Sequence, residues 1–334
     1  MQFAVTGVTS GVGRRFAEMA LAQGHQVRGL VRSPQRDDAR ALAALGVEVV
    51  AGTLHNVAAL SELCAGADVA VHMAAHVGDW GDRALFEQVN VQGTQLTVEA
   101  AARARVKRFV QLSSTAVYGR PQRGRVTEDW PMKRCGAPYD DTKTEAEQLA
   151  FKRGQALGLE VTAVRPPIIY GPYDRNFIPR TLRMLNNRAM VLIDGGHTPL
   201  NVVWVDHVVD VLLLTAHHPA ACGETFNVMD CVSDKPPSVR EIVTTIADAA
   251  ALPRPRLSVP ANVATPIAAA LERAYRLLNA KTPPPATPFV VRLMTLEVIY
   301  DASKAARLLG WKSRLKPLVG VARYARQLVT KMGV

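Results

Sequence analysis

Short apolar runs alternate with helix-patterned segments through the first half of the chain, and that alternation limits the fold more than any other feature. Phe3–Thr6, Gln26–Val31, Val47–Ala51, Val69–Met73 and Arg108–Leu112 have the length and apolar content of buried strands. Between them, Gly13–Gln23, Pro34–Leu45, Val57–Cys64 and Ala84–Ala104 space Ala, Leu and Phe as helices do. Tyr139–Leu157 predicts a further helix that leads into a sixth strand, Glu160–Val164. Strand–helix–strand repetition implies parallel strands with right-handed crossovers, so the predicted fold class is α/β, a doubly wound parallel sheet. After Arg165 the alternation loosens, with a strand expected at Val202–Val205, a helix at Ser238–Ala251 and many prolines over Arg254–Thr287. The predicted organisation is one domain over 1–165 and a smaller lobe over 166–334, with about 200–215 returning to the first domain.

At 334 residues with 48% hydrophobic content, the chain is long enough for a sizeable core. Met1–Thr6 runs straight into a glycine-rich turn with no basic leader, which reads as a strand and not a signal peptide. Cys64, Cys135, Cys222 and Cys231 are scattered without a CxxC pair, so neither a metal site nor a disulfide framework is expected. A cytoplasmic location suits such thiols. The net charge of +11 raises nucleic acid as a partner, but there is no Lys/Arg block and no aromatic–basic interleaving. No nucleic-acid partner is therefore expected.

Thr6–Gly13 reads TGVTSGVG and sits between a strand and a helix. Glycines there permit a tight turn and let the backbone approach a pyrophosphate at the helix N-terminus, as in Rossmann dinucleotide sites. Gly7, Ser10, Gly11, Val12 and Gly13 are the candidate contacts, and 1–165 becomes the candidate nucleotide-binding domain. The second strand ends Val31-Arg32-Ser33 where an NAD site usually carries an acid. An Arg beside a hydroxyl suits a 2′-phosphate, so NADP(H) is the expected cofactor, with NAD(H) as the alternative.

Ser114 follows the fifth strand, and Tyr139 and Lys143 stand one helical turn apart on one face. A free phenol has a pKa near ~10, too high for proton exchange at neutral pH. A neighbouring Lys cation, together with an oxidised nicotinamide, would favour the phenolate. Ser114, Tyr139 and Lys143 are thus the candidate catalytic set, with Ser113 as the fallback for the serine.

The motifs TGVTSGVG (Thr6–Gly13), VHMAA (Val71–Ala75), NVQGT (Asn90–Thr94), LSSTAVYG (Leu112–Gly119), YDDTK (Tyr139–Lys143) and RPPIIYGP (Arg165–Pro172) occur in that order. On them the chain resembles the extended short-chain dehydrogenase/reductase family over almost its whole length. The resemblance implies Tyr139 as catalytic acid/base with Lys143 as its partner and ribose ligand. It also implies cofactor contacts from Ser10–Val12, Thr53, Leu54, Met73, Ala74, Ala75 and Pro166. Gly52-Thr53-Leu54 departs from the Gly-Asp-Leu frequent in the family at the adenine contact.

Within that resemblance the sequence is most similar to the 3β-hydroxysteroid dehydrogenase-like branch, which implies a hydroxyl–ketone interconversion on an apolar small molecule. A nucleotide-sugar epimerase is the alternative. It is disfavoured by Ser114-Thr115-Ala116, where sugar dehydratases have Thr-Asp-Glu, and by Ile168, where many sugar-nucleotide enzymes have Asn. A non-catalytic NADP-binding regulator is the other alternative. Trp80 is a candidate pocket residue. Val263, Ile267, Ala270, Leu271, Ala274 and Leu278 form one helical face opposite Glu272, Arg273 and Arg276. This face is expected to pack on the core, with a lid or a membrane-surface contact as alternatives. The family resemblance allows a homodimer through the helices around 84–104 and 139–157 and leaves the oligomeric state open, and a carbonyl or alcohol is the expected small-molecule partner.

Overall fold

The computed structural model describes residues 1–332 except Asp79, Arg120, Gln122, Ser233, Asn279, Lys281, Pro283 and Pro285. The first half runs β1 (Gln2–Thr6), α1 (Gly11–Ala22), β2 (Gln26–Val31), α2 (Asp37–Ala44), β3 (Glu48–Ala51), α3 (Val57–Cys64) and β4 (Val69–His72). It continues with α4 (Arg83–Phe86), α5 (Gly93–Arg103), β5 (Arg108–Leu112), β6 (Arg123–Val126), α6 (Pro138–Leu157) and β7 (Glu160–Arg165). The second half contains β8 (Ile168–Tyr170), α7 (Phe177–Asn186), β9 (Val191–Ile193), β10 (Val202–Trp204), α8 (Val205–His217), β11 (Thr225–Asn227) and α9 (Val239–Ala249). The chain closes with β12 (Leu257–Val259), α10 (Ala261–Leu277), α11 (Pro288–Leu293), β13 (Glu297–Tyr300), α12 (Ser303–Leu309) and α13 (Pro317–Met332).

A seven-stranded parallel sheet has the order β11-β7-β5-β4-β1-β2-β3. The order reverses between β1 and β4, which opens a crevice at the carboxyl ends of those strands. Both sheet faces are covered, as parallel sheets require. Phe3 and Val5 pack with Phe16, Ala20 and Leu212 on one face, while Ala4 packs with Leu60, Val98, Phe109 and Ala150 on the other. The seventh strand, β11, comes from the far half of the chain and pairs with β7 through Phe226↔Val164. Three short two-stranded pieces, β10–β8, β12–β9 and β13–β6, knit the smaller C-terminal lobe together.

The stretch 84–104 forms a helical run, α4 and α5, that passes through a wide π-helical segment at Glu87–Gln92. Inside that turn Asn90 is buried and its amide reaches away from the helix, accepting from His76 N at 2.7 Å and donating to Thr142 Oγ1 at 3.0 Å. These bonds hold the loop after β4 and the start of α6 in place.

Helix α10 departs furthest from expectation. Only Ala268 is buried, against Ile193 and Val291, with Ala261 and Ala264 beside it. The larger residues Val263, Ile267, Leu271 and Leu278 face outward, so the face expected to pack on the core is exposed. Small side chains let the helix lie close to the lobe, and proximity decided which face turned inward.

Candidate active site

Strand β1 ends at Thr6, and Gly7 turns the chain with φ +72°. A Cβ at Gly7 would lie 2.6 Å from Ala74 N, and one at Gly13 would lie 2.1 Å from Gly7 O. The two glycines let strand, turn and helix close on each other. Ser10 caps α1, its Oγ accepting from Gly13 N at 3.0 Å, and so leaves the other first-turn amides directed at the crevice.

The crevice is one cavity of about 1570 Å³. It is lined by Gly7, Ser10, Gly11, Val12, Arg32, Ser33, Thr53, Leu54, Met73, Ala74, Ala75, Ser114, Tyr139, Lys143 and Pro166. Of the cofactor and catalytic residues expected from sequence, Gly13 alone does not line it. Its place is against the turn. An extended cavity with a helix N-terminus and a backbone cradle at one end fits a dinucleotide.

Lys143 is buried, and its Nζ donates to the Leu112 carbonyl at 2.6 Å, which ties α6 to the end of β5. Burial pushes this ammonium down to about 8, opposed by the nearby Glu147 carboxylate. Burial pushes the Tyr139 phenol up to about 12, opposed by a hydrogen bond with Ser114. Ser114 is the serine beside Tyr139. Ser113 is buried, and its Oγ has no hydrogen-bond partner among the described residues.

Beneath the cofactor end, His72 is held neutral, pushed down to about 3 by burial and by the Lys143 charge. Thr94 donates its proton to Asn90 O at 2.6 Å, so it accepts from His72 Nε2 at 3.1 Å, and Thr6 donates to His72 Nδ1 at 2.7 Å. Arg165, from the RPPIIYGP motif, forms a buried ion pair with Glu147 on α6 and donates to Tyr118 Oη at 2.9 Å. Neither Glu147 nor Arg165 was singled out from sequence. The available signal was a Glu one turn after Lys143, on the face that points inward.

Away from the cradle, Ile168, Ile169, Phe289, Leu293, Leu296 and Val298 line the cavity, drawn from β8, α11, β13 and the residue before β13, alongside the polar Asp174, Arg175, Asn176 and Asn201. Trp80 does not. Its Nε1 donates to the Ala280 carbonyl at 3.1 Å and the Arg276 guanidinium lies 4.8 Å over its ring, so it clasps the end of α10. Asp79, in the same stretch, lies outside the described residues.

The profile of the family described as NAD dependent epimerase/dehydratase matches residues 3–228. A relative from Stigmatella aurantiaca, 4-hydroxy-2-methyl-3-oxo-4-farnesyl-3,4-dihydroquinoline-1-oxide ketoreductase, is 32% identical over 318 residues, covering 94% of this chain and 93% of that protein. The 2-alkyl-3-oxoalkanoate reductase of Shewanella oneidensis is 27% identical over 338 residues, covering 97% and 85%. Among solved structures, DesIV, a dTDP-glucose 4,6-dehydratase from Streptomyces venezuelae, matches with a TM-score of 0.79 and 22% identity over 100% of this chain and 98% of its own. DesIV and several other similar structures hold NAD. This corrects the expectation of NADP(H) drawn from Arg32 and Ser33. Both side chains are exposed, and the same rim carries Asp38, paired with Arg36 at 3.3 Å. The rim is therefore of mixed charge, with Asp38 beside Arg32 and Arg36.

Proposed function

The chain belongs to the NAD dependent epimerase/dehydratase family, and from that membership we propose an NAD(H)-linked interconversion of a ketone and an alcohol on an apolar small molecule. The family makes it a dehydrogenase/reductase acting on a small molecule with a hydroxyl or ketone group. The observation that carries the narrower reading is the apolar group of Ile168, Ile169, Phe289, Leu293, Leu296 and Val298 on the cavity wall. A nucleotide sugar would leave hydroxyls against those side chains without partners, which is costly. The names of the Stigmatella and Shewanella relatives, a farnesyl-substituted ketone reductase and an alkyl-oxoalkanoate reductase, support the same substrate class.

Ser10–Val12, Thr53, Leu54 and Met73–Ala75, which line the cradle, would hold the dinucleotide. NAD(H), when bound, supplies or accepts the hydride. Tyr139 donates the proton to the developing alkoxide in reduction and removes it in oxidation. Ser114, hydrogen-bonded to Tyr139, orients the carbonyl oxygen toward that phenol. Lys143, held on the Leu112 carbonyl, places a positive charge one helical turn from Tyr139 and stabilises the phenolate as it forms. The apolar wall keeps water from the reacting carbon.

Tyr139→Phe should bind NADH as the parent does and lose about 10²–10⁴-fold in turnover. Steady-state assays with a panel of alkyl ketones, 3-oxo acids and dTDP- or UDP-glucose test the substrate class. Turnover confined to the sugar nucleotides would replace this reading with the epimerase one.

A further inference from the structure

Seventeen residues of α10 bury a single side chain, Ala268. At about 100° per residue, Val263, Pro266, Ile267, Ala270, Leu271, Ala274, Leu277 and Leu278 form one continuous stripe. Val263 is 46% exposed, Ile267 53%, Leu277 76% and Leu278 78%. An apolar stripe of this kind facing outward indicates a binding surface.

Charge identifies the occupant. Residues 254–292 carry six Lys or Arg against a single acid, Glu272, in a chain whose whole net charge is +11. Arg256 and Arg273 are exposed and make no ion pair with the described residues. A second copy of the chain would bring the same positive charge to this face and be repelled. An anionic lipid surface is complementary both to the charge and to the stripe. No helix among the described residues is long and apolar enough to cross a membrane, so a surface position is the one available.

We propose that α10 docks the protein on anionic phospholipid bilayers, its stripe seated at the headgroup–acyl boundary and its arginines among the phosphates. The site communicates with the active-site cavity. Helix α10 packs on α11, whose Phe289 and Leu293 line the apolar end of the cavity. Trp80 fastens the loop after β4 to the end of α10, and Val77 of that loop, 63% exposed, lines the cavity as well. Docking would thus bring the cavity's apolar end close to the lipid. The proposal stands on the surface alone and does not rest on the ketoreductase reading.

The test is co-sedimentation of the full chain with phosphatidylcholine vesicles and with phosphatidylcholine–phosphatidylglycerol vesicles. The expected result is binding to the second kind only, reduced about tenfold or more in an Ile267→Glu/Leu278→Glu double variant whose NADH binding and melting temperature match the parent. No binding to the anionic vesicles at low salt would overturn the proposal. So would undiminished binding by the double variant, which would mean charge attraction without a seated helix. Sedimentation velocity closes the remaining route: a parent dimer that the double variant makes monomeric, with no vesicle binding, would assign the face to self-association.

Discussion

Helices α6 and α10 invert one another. In α6 the buried residues include Asp140, Asp141, Thr142, Lys143, Thr144 and Glu147, polar groups that sequence statistics place in water. In α10 the exposed residues include Val263, Ile267, Leu277 and Leu278, apolar groups that the same statistics place inside. The α6 groups are tolerable because each has a fixed partner. Asp141 accepts from Cys135 N at 2.8 Å and Gly136 N at 3.1 Å, Thr142 accepts from Asn90, Lys143 donates to Leu112 O, and Glu147 pairs with Arg165. Burial is therefore a property of what surrounds a helix and not of the helix itself. One helix brings charge inside, and the other brings apolar surface out.

The contrast breaks first at Glu147. Glu147→Ala leaves Arg165 buried without its counter-ion, and the expected loss is about 3–5 kcal/mol of unfolding free energy, read from urea midpoints. If the variant is as stable as the parent, the α6 network does not hold the core.

Lys143 gives the next effect, through pH. Its folded-state value of about 8 lies below the ordinary lysine value near ~10.4, so the unfolded chain binds the proton more tightly. Stability attributable to this group is fully present above ~10.4 and is lost as pH falls through about 8. Comparing unfolding midpoints of the parent and Lys143→Met at pH values on either side of this window should show the rise in the parent alone. An identical pH profile in the two proteins would mean that Lys143 is not strained by burial.

Trp80→Ala should cost about 1–2 kcal/mol through the lost hydrogen bond and cation–π contact at the end of α10. Substrate preference should not change, since Trp80 does not line the cavity. A shifted preference would return Trp80 to the pocket. The smallest effect sharpens the contrast: Ile267→Gln, on the exposed stripe, should stay within about 0.5 kcal/mol of the parent in thermal melts. A large loss there would show that the stripe is packed in solution.

Much of the nucleotide-binding half was legible residue by residue. Gln26–Val31, Val57–Cys64 and Arg108–Leu112 occupy the bounds that periodicity predicts. Gly7 and Thr9–Val12 of the glycine-rich turn meet Ser114, Tyr139 and Lys143 in one cavity. These features are written in local spacing, because a strand–turn–helix unit is specified by residues adjacent along the chain and a helix places i and i+4 together wherever it sits. The second half was less legible. Strand β11, which completes the sheet, does not appear in the local pattern with its partner, since it is defined by a contact with residues far away.

Chain order and pattern were thus enough for the doubly wound sheet, the crevice at its reversal and the residues that face it. Three things required the assembled molecule. The Arg165–Glu147 pair needs β7 and α6 side by side before either charge can be buried. The phenol at Tyr139 moves up because of what encloses it. The outward stripe of α10 follows from the contact of Ala261, Ala264 and Ala268 with the lobe. Periodicity specifies that a helix has two faces, but only the shape of the surface it meets determines which one is covered.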